Sequence, residues 1–217
     1  EMFSEQEPFL QSADLPQFPA KGDSIKTVAY LAPELPSGTA VTHFQHGDED
    51  SHVFCASCAA KGLVTIPAFA TSGGAGIKPS INGVPPLYML PSGKNLFETL
   101  ALSLILPACQ PQAKSPEDQP WWRRPALVHR GEEILEVGYT QSLTFPARRV
   151  RLHPSQGPVA CTRCGKESDW GVRTMVFEMG ECRPKESAAW LDPFAAYRIP
   201  SDKPPVPIRP SPGNAAW

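Results

Sequence analysis

The chain has 217 residues, of which 41% are hydrophobic, enough for a folded core and too many for a wholly disordered protein. The formal net charge of −2 excludes a strongly basic protein, so any contact with nucleic acid must depend on local patches. The 26 prolines argue against a helical bundle and favour loops and short strands. The length suits one large domain or two small ones.

The sequence predicts a cytoplasmic chain with no membrane contact, because it has neither a long apolar run nor a signal peptide at its start. Its opening, "EMFSEQEPFL", resembles the middle of a protein, so we expect a fragment. Six cysteines in a chain without an export signal favour a metal site or free thiols over disulfides.

The first half of the chain alternates irregular segments with short elements. Residues 1–40 are irregular and proline-bearing, and an acidic, histidine-rich loop, "HFQHGDEDSH", follows them. The pair Cys55 and Cys58 then runs into a predicted short helix. A glycine-bearing loop, "ATSGGAGIKPSINGVPP", separates that helix from a predicted strand at "LYML".

A helix over residues 95–106 is predicted next. Asn95 suits the N-cap, and Glu98 stands three residues later, as in a capping box. Leu96, Leu100 and Leu104 recur at helical spacing, so we expect this apolar face to be buried. Pro107 should end the helix.

The second half favours strands. The segment "EEILEVGYTQSLTFPARRVRLHP" alternates apolar and polar residues, which predicts strands through Leu143, Phe145, Val150 and Leu152. A tight turn flanked by apolar residues follows at "VACTRCGKESDWGVRTMVFEM". Residues 200–217 contain too many prolines for a helix or a central strand and predict an extended linker. The fold class we expect is therefore α+β, an irregular, loop-rich mixed domain.

Two cysteine pairs with the same spacing carry the strongest chemical signal. Cys161 and Cys164 repeat the C-x-x-C pattern of Cys55 and Cys58. Four thiolates match tetrahedral zinc, so we expect a structural zinc site formed by two distant knuckles. Gly165 can adopt a positive φ angle, which lets backbone amides face the sulfurs. The metal would close a large loop where the chain is otherwise loose.

Alternative interpretations of the cysteines, and a second possible metal site, stay open at this point. A thioredoxin-like redox pair needs one C-x-x-C in a βαβ context, and two copies in proline-bearing surroundings fit that poorly. A catalytic metal could instead use His43, His46 and Asp48, although no H-E-x-x-H motif occurs. Cys109 and Cys182 are interpreted as small buried or half-exposed residues.

Seven segments follow one another along the chain: "EPFLQ", "HFQHGDEDSHVFCASCAA", "ATSGGAGIKP", "GKNLFETLALSLILP", "EDQPWW", "ACTRCGKES" and "DPFAAYR". Taken in this order, they resemble the CasA family, the large subunits of type I-E CRISPR surveillance complexes, known as Cascade. The resemblance covers most of the chain and implies that residues 1–199 are part of the large zinc-containing N-terminal domain. Residues 200–217 would lead toward a C-terminal helical bundle that this chain lacks.

The resemblance also implies contacts with nucleic acid. The positions matching the family's contact with the CRISPR RNA 5′ handle are Phe44, Gln45 and His46, whose side chains can stack on bases or pair with base edges. The family's glycine loop approaches the minor groove of the protospacer-adjacent motif (PAM). It matches Ser72, Gly73, Gly74, Ala75 and Gly76, with Lys78 just after them.

Two family features have no secure match. The lysine that reaches into the PAM duplex falls near Met179, where Arg173, Arg183 or Lys185 are candidates to replace it. The wedge that opens the duplex would lie beyond Trp217. The run Arg148, Arg149 and Arg151 could contact phosphate, but we interpret it as a solvated strand edge.

The resemblance therefore implies a non-catalytic subunit that binds the other Cascade subunits, CRISPR RNA and double-stranded target DNA, and that helps recruit the helicase–nuclease. Sequence recognition would largely be delegated to pairing with the guide RNA. Two alternatives remain: a structural zinc-binding scaffold without direct DNA readout, and a metal-dependent hydrolase that uses the histidine-rich loop.

Overall fold

A computed structural model describes residues 1–17, 24–35, 51–69, 86–110, 118–123, 137–181 and 191–209. The mixed helix and strand content expected from the sequence is confirmed. Among the described residues, no helix has the length and apolar character needed to cross a membrane. The elements in chain order are β1 (Ile25–Thr27), β2 (Phe54–Cys55), α1 (Ala56–Phe69), α2 (Leu96–Leu102), α3 (Tyr139–Leu143), β3 (Arg148–Ala160), β4 (Glu167–Met179), β5 (Tyr197–Arg198) and β6 (Val206–Pro207).

A long antiparallel hairpin of β3 and β4 forms the centre of the fold. Its register runs from Arg148 opposite Met179 to Ala160 opposite Glu167. The register shifts once at His153/Pro154, where the proline has no N–H to give to the ladder. It shifts again beyond Gln156, where Gly157 has a φ angle of +144°. The predicted tight turn between apolar segments is the end of this hairpin.

The other edge of β4 receives two short strands one after the other. Ile25 of β1 lies opposite Val176, and Cys55 of β2 lies opposite Gly171. Gly171 therefore lies between β2 and β3, and a Cβ atom there would come within 2.8 Å of the Val53 side chain and 2.9 Å of the Val159 side chain. The absence of a side chain at residue 171 allows the strands to pack this closely.

The main hydrophobic core lies between the sheet, α1 and the 3₁₀ helix Val28–Leu31. Val150 and Leu152 of β3 and Val172 and Met175 of β4 face this core, although burial does not alternate strictly along either strand. Gly62 of α1 lets the backbone of Leu31 approach, because a Cβ atom at residue 62 would lie 2.6 Å from the Leu31 carbonyl oxygen. The largest buried core side chains are Phe54, Leu31, Leu63, Leu152, Met175, Val28, Val150 and Val172.

A small ladder joins the segment around Tyr88 to the end of the described chain. Strands β5 and β6 pair with each other, and Tyr88 bridges to Ala195. The Leu87 amide also donates to the Ile208 carbonyl at 2.8 Å. Val206–Pro207 therefore forms a short strand within the segment predicted as an extended linker. The division of the chain into residues 1–199 and 200–217 stays a prediction.

The helix predicted at 95–106 begins as expected but ends early. Asn95 caps it by accepting the Glu98 amide at 2.9 Å, and the Glu98 carboxylate accepts the Lys94 amide at 2.7 Å. The α-helix ends at Leu102, where the hydrogen bonds tighten: the Ser103 amide is shared between the Thr99 and Leu100 carbonyls, and the Leu104 amide donates to the Ala101 carbonyl at 3.2 Å.

The expectation that this helix buries its apolar face is wrong. Leu96 is 72% exposed, Leu100 58% and Leu104 78%, and no residue of α2 is buried. Helical spacing puts Leu96 and Leu100 on one side of the helix, whereas Leu104 lies beyond its end at Leu102. The spacing carries no information on whether another element covers that side.

The predicted strand through Leu143 is also wrong, because Tyr139–Leu143 is helical. The Asp118 carboxylate accepts the amides of Thr140 and Gln141, each at 3.0 Å, so it caps a helix whose own N-cap residue, Gly138, has no side chain. Gly138 also leaves room for this contact, since a Cβ atom there would collide with the Asp118 carboxylate.

Candidate metal centre

Four cysteines meet where β2 enters α1 and β3 turns into β4. Cys55 is the last residue of β2, and Cys58 lies in the first turn of α1. Cys161 follows β3 directly, and Cys164 lies in the turn that precedes β4. Because β2 pairs with β4, the sheet brings together two cysteine pairs that are more than 100 positions apart in the chain.

The four sulfur atoms lie close enough to share one metal ion. All four Sγ atoms are within 4.8 Å of one another, and those of Cys55 and Cys164 are 3.9 Å apart. A tetrahedron of sulfurs about 2.3 Å from zinc has sulfur–sulfur separations of about 3.8 Å. The separations here fit that geometry after small side-chain adjustments, and four thiols are a donor set that zinc prefers. These residues therefore fit a tetrathiolate metal site.

Burial of the cluster is unequal. Cys161 is 1% exposed, Cys58 4% and Cys55 8%, whereas Cys164 is exposed. Three of the sulfurs thus belong to the hydrophobic core, and the fourth faces the surface. A metal bound here would be partly screened from solvent and could be reached by solutes from the side of Cys164.

Hydrogen bonds from backbone amides favour the thiolate form of Cys161. Burial of the Cys161 thiol favours its protonated form, but hydrogen bonds from the backbone of Cys55, Cys164 and Arg163 outweigh this and lower its pKa from 9.0 to about 6. The Cys55 amide donates to this Sγ at 3.3 Å. Such amide donors also stabilise metal-bound thiolates, so the geometry suits ligation.

The pKa of the neighbouring Cys58 thiol shifts in the opposite direction. Burial, followed by hydrogen bonding among the cysteines, raises the pKa of Cys58 from 9.0 to about 12. A metal that binds here must therefore displace at least the Cys58 proton near neutral pH. Metal binding at this site is expected to release protons and to weaken in acid.

The turn that carries the second pair is held in a specific shape. Gly165 has a φ angle of +71°, and its amide donates to the Cys161 carbonyl at 2.8 Å. The expectation that Gly165 adopts a positive φ angle is confirmed. The Cys161 amide donates to the Lys166 carbonyl at 2.9 Å and closes the turn.

Thr162 attaches this turn to Val53, the residue that precedes β2. The Thr162 amide donates to the Val53 carbonyl at 2.9 Å, and the Val53 amide donates to the Thr162 hydroxyl at 3.2 Å. No pattern in the sequence assigns a role to Thr162. Its position inside C-T-R-C marks it as part of the turn, but only the fold identifies its partner.

The residues predicted to contact nucleic acid lie outside the described part of the chain. This applies to Phe44, Gln45, His46, Ser72, Gly73, Gly74, Ala75, Gly76 and Lys78. It also applies to His43 and Asp48 of the alternative metal site, to Cys182, and to Arg183 and Lys185. Of the positions near the expected PAM lysine, Arg173 is exposed on β4 and Met179 is its last residue. Cys109 is exposed rather than buried.

The interpretation of the arginine run as a solvated edge is wrong. Arg149 is 9% exposed and forms ion pairs with Asp14 and Glu178, and Arg151 is 4% exposed. Arg148 lies over the Phe177 ring, with its guanidinium carbon 6.0 Å from the ring centroid. Asp14 and Glu178 pair with Arg149, and both Arg149 and Arg151 are buried, so among the described residues this run forms no exposed basic stripe.

The family model for CRISPR-associated protein Cse1 matches residues 1–217, the whole chain. The chain belongs to the Cse1 family. A curated relative, "CRISPR-associated protein CasA/Cse1" from Thermus thermophilus, is 32% identical over 228 residues, which cover 100% of this chain and 40% of that protein.

Solved Cse1 structures also resemble this fold. The crystal structure of Thermus thermophilus CasA matches with a TM-score of 0.58 and 27% identity, over 99% of this chain and 39% of that one. The crystal structure of Cse1 from Acidimicrobium ferrooxidans matches with a TM-score of 0.61 and 24% identity, over 100% of this chain and 41% of that one, and supports the fold alone. The chain thus spans about two fifths of the length of these relatives.

Proposed function

We propose that this Cse1 chain is part of the non-catalytic large subunit of a type I-E CRISPR surveillance complex in the cytoplasm. The single observation that carries the proposal is the match of the family model to residues 1–217. The partners we propose are the other Cascade subunits, CRISPR RNA, double-stranded target DNA and the helicase–nuclease. The relative named CasA/Cse1 supports the same assignment.

The cysteine cluster is proposed to hold one structural Zn²⁺ through Cys55, Cys58, Cys161 and Cys164. The support is the donor set and its compactness, with all four sulfurs within 4.8 Å of one another. Bound zinc would join two C-x-x-C knuckles and hold the β3–β4 turn against β2. Four protein thiolates fill a tetrahedral site and leave no position for a hydrolytic water, which fits a subunit without catalysis.

Residues Phe44, Gln45 and His46 are proposed to contact the 5′ handle of the CRISPR RNA. Their loop ends close to Cys55, so a zinc site at that cysteine would give it a rigid base. Phe and His rings can stack on bases, and the glutamine amide can pair with a base edge. We expect Phe44→Ala to weaken retention of the subunit on the purified complex, measured by co-purification with the guide RNA.

The glycine loop, Ser72 to Gly76 with Lys78, is proposed to lie against the PAM minor groove. Glycines let a backbone approach base edges and sugars where a Cβ atom would collide. Gly74→Asp should then reduce PAM-dependent binding more than Gly74→Ala does, because it adds bulk and a negative charge near phosphates. The measurement is the affinity of reconstituted Cascade for target DNA with a correct and an incorrect PAM, at fixed salt.

A matched control adds the same charge elsewhere. Ser201 is an exposed residue between β5 and β6, so Ser201→Asp should leave the ratio of the two affinities unchanged. If Gly74→Asp also leaves that ratio unchanged, the loop does not read the PAM. If DNA binding by the complex does not depend on this subunit at all, the proposed function itself fails.

The second candidate function is a zinc scaffold that serves assembly without reading DNA. The specific observation in its favour is that Cys55, Cys58 and Cys161 are part of the hydrophobic core. In that case the subunit would be needed for a stable complex, but Gly74 variants would bind both DNA targets as wild type does. A nuclease assay with added zinc or manganese tests the hydrolase alternative, for which we expect no activity.

A further inference from the structure

Arg163 stands between the two cysteines of the second pair and contacts three other parts of the fold. One guanidinium nitrogen donates to the Cys58 carbonyl at 3.3 Å, and another pairs with the Glu34 carboxylate at 2.8 Å. The guanidinium carbon also lies 5.7 Å from the centroid of the Phe54 ring. The Arg163 side chain is 25% exposed and the Glu34 side chain 53%, so the ion pair lies near the surface, while the hydrogen bond to the Cys58 carbonyl is partly buried.

Each contact connects the turn to an element that carries or supports the first cysteine pair. Phe54 precedes Cys55 in β2, and the Cys58 carbonyl belongs to the start of α1. Glu34 follows the 3₁₀ helix Val28–Leu31, which packs on α1 through Leu31. The Arg163 side chain thus connects both cysteine pairs to the segment that contains Glu34, which none of the four sulfurs contacts through a metal.

We propose that Arg163 is a positioning residue of the metal centre, which holds the two cysteine pairs at the separation that a shared ion requires. The inference rests on the proposed metal occupancy and is independent of the proposed contacts with nucleic acid. The planar guanidinium suits this role because it presents several N–H donors in fixed directions and stacks on aromatic rings. A lysine at residue 163 would keep the charge but could not make all three contacts.

A simple electrostatic effect is the main competing explanation. Four thiolates around Zn²⁺ carry a formal charge of about −2, which any nearby cation would stabilise. Lys166 offers a matched control, because it is an exposed cation in the same turn, two residues beyond Cys164. No hydrogen bond or ion pair involves its ammonium group among the described residues. Removing the Lys166 side chain therefore changes the charge near the site without removing a hydrogen bond or an ion pair.

The experiment compares Arg163→Ala, Arg163→Lys, Glu34→Gln and Lys166→Ala with wild type, each purified with zinc. The first measurement is the rate of zinc release to excess chelator. Arg163→Ala should release zinc about tenfold faster or more, as is typical when a residue that orients metal ligands is lost. Arg163→Lys and Glu34→Gln should lie between that rate and wild type, and Lys166→Ala should match wild type.

A second measurement separates positioning from loss of overall stability. Co²⁺ substituted for zinc reports ligand geometry through its absorption bands, so Arg163→Ala should shift or broaden these bands while Lys166→Ala leaves them unchanged. If Arg163→Ala does not fold, Arg163→Lys and Glu34→Gln decide by the same two measurements. The proposal is overturned if the Arg163 variants release zinc at the wild-type rate, or if Lys166→Ala accelerates release as much as they do. If wild type retains no metal, the proposed zinc site fails instead.

Discussion

Replacing Cys161 by serine removes one sulfur from the cluster with little change in packing. Cys161 is 1% exposed, and its Sγ accepts the Cys55 amide at 3.3 Å. A serine hydroxyl can accept the same N–H group, so the cost to the metal-free fold should be small, about 1 kcal/mol. The larger effect should come from lost metal binding, since three thiolates hold zinc less tightly than four.

The expected size of that effect follows from linkage. A metal that binds only the folded protein stabilises it by about 2.7 kcal/mol when free metal is 100 times Kd, and by about 4.1 kcal/mol at 1,000 times Kd. For a chain of 217 residues, a loss of about 1 kcal/mol lowers Tm by roughly 2–4 °C. Cys161→Ser should therefore unfold roughly 10 °C below wild type in zinc-buffered solution.

Thermal unfolding with and without a chelator is the assay. Chelation should lower the Tm of wild type to near that of Cys161→Ser, while the variant responds little to chelation. Cys109→Ser is the matched control, because Cys109 is exposed and lies outside the cluster, so it should unfold and respond as wild type does. The structural role of the metal is refuted if chelation strips the metal from wild type without changing its Tm, or if the two serine variants behave alike.

Three further predictions follow from the described contacts. Gly171→Ala should destabilise the fold by about 1–3 kcal/mol, because its Cβ atom would lie 2.8 Å from the Val53 side chain; urea unfolding measures this, and an unchanged midpoint would contradict the packing. Asp118→Ala should cost about 1 kcal/mol by removing the cap of α3, and amide exchange of Thr140 should accelerate; unchanged exchange would argue against the cap. In metal-free protein, the lowered pKa of Cys161 contributes stability that is complete above pH 9.0 and is lost as the pH falls through about 6. The raised pKa of Cys58 contributes stability that is complete below pH 9.0 and is lost as the pH rises through about 12. The urea midpoint of metal-free protein should therefore be highest near pH 9, and a midpoint independent of pH would contradict these shifts.

The cysteine cluster could be predicted from the sequence because the chemistry restricts the choices. Two pairs with identical spacing leave few arrangements other than a shared metal. The fold brings all four sulfurs within 4.8 Å of one another. The contacts that hold the cluster in place could not be predicted in the same way, because Arg163 pairs with Glu34, which is more than 100 residues away in the chain.

Sequence patterns predicted a helix cap correctly where both partners of the hydrogen bond lie close together in the chain. Asn95 and Glu98 cap α2 through contacts within four residues, and the sequence contains both partners. The cap of α3 comes from Asp118, which lies 22 residues before Thr140, so alternation alone suggested a strand there. Propensity and spacing cannot identify a partner that only the tertiary fold brings into contact.

Burial was the least predictable property. The apolar residues of α2 are exposed although their spacing suits a buried face, and Arg149 and Arg151 are buried although they are charged. Both outcomes depend on what lies opposite the element. For Arg149, Asp14 and Glu178 supply the compensating charge from distant positions, and a one-dimensional pattern cannot reveal this.

X-ray absorption at the zinc edge of the purified protein tests the proposed metal centre most directly. We predict one zinc ion per chain, surrounded by four sulfurs at about 2.3 Å and by no nitrogen or oxygen ligands. The ligands should be Cys55, Cys58, Cys161 and Cys164, so Cys161→Ser should reduce the sulfur count while Cys109→Ser leaves it at four. A shell that contains nitrogen or oxygen in the wild type, or a protein that binds no zinc when zinc is supplied in excess, would contradict the proposed zinc site.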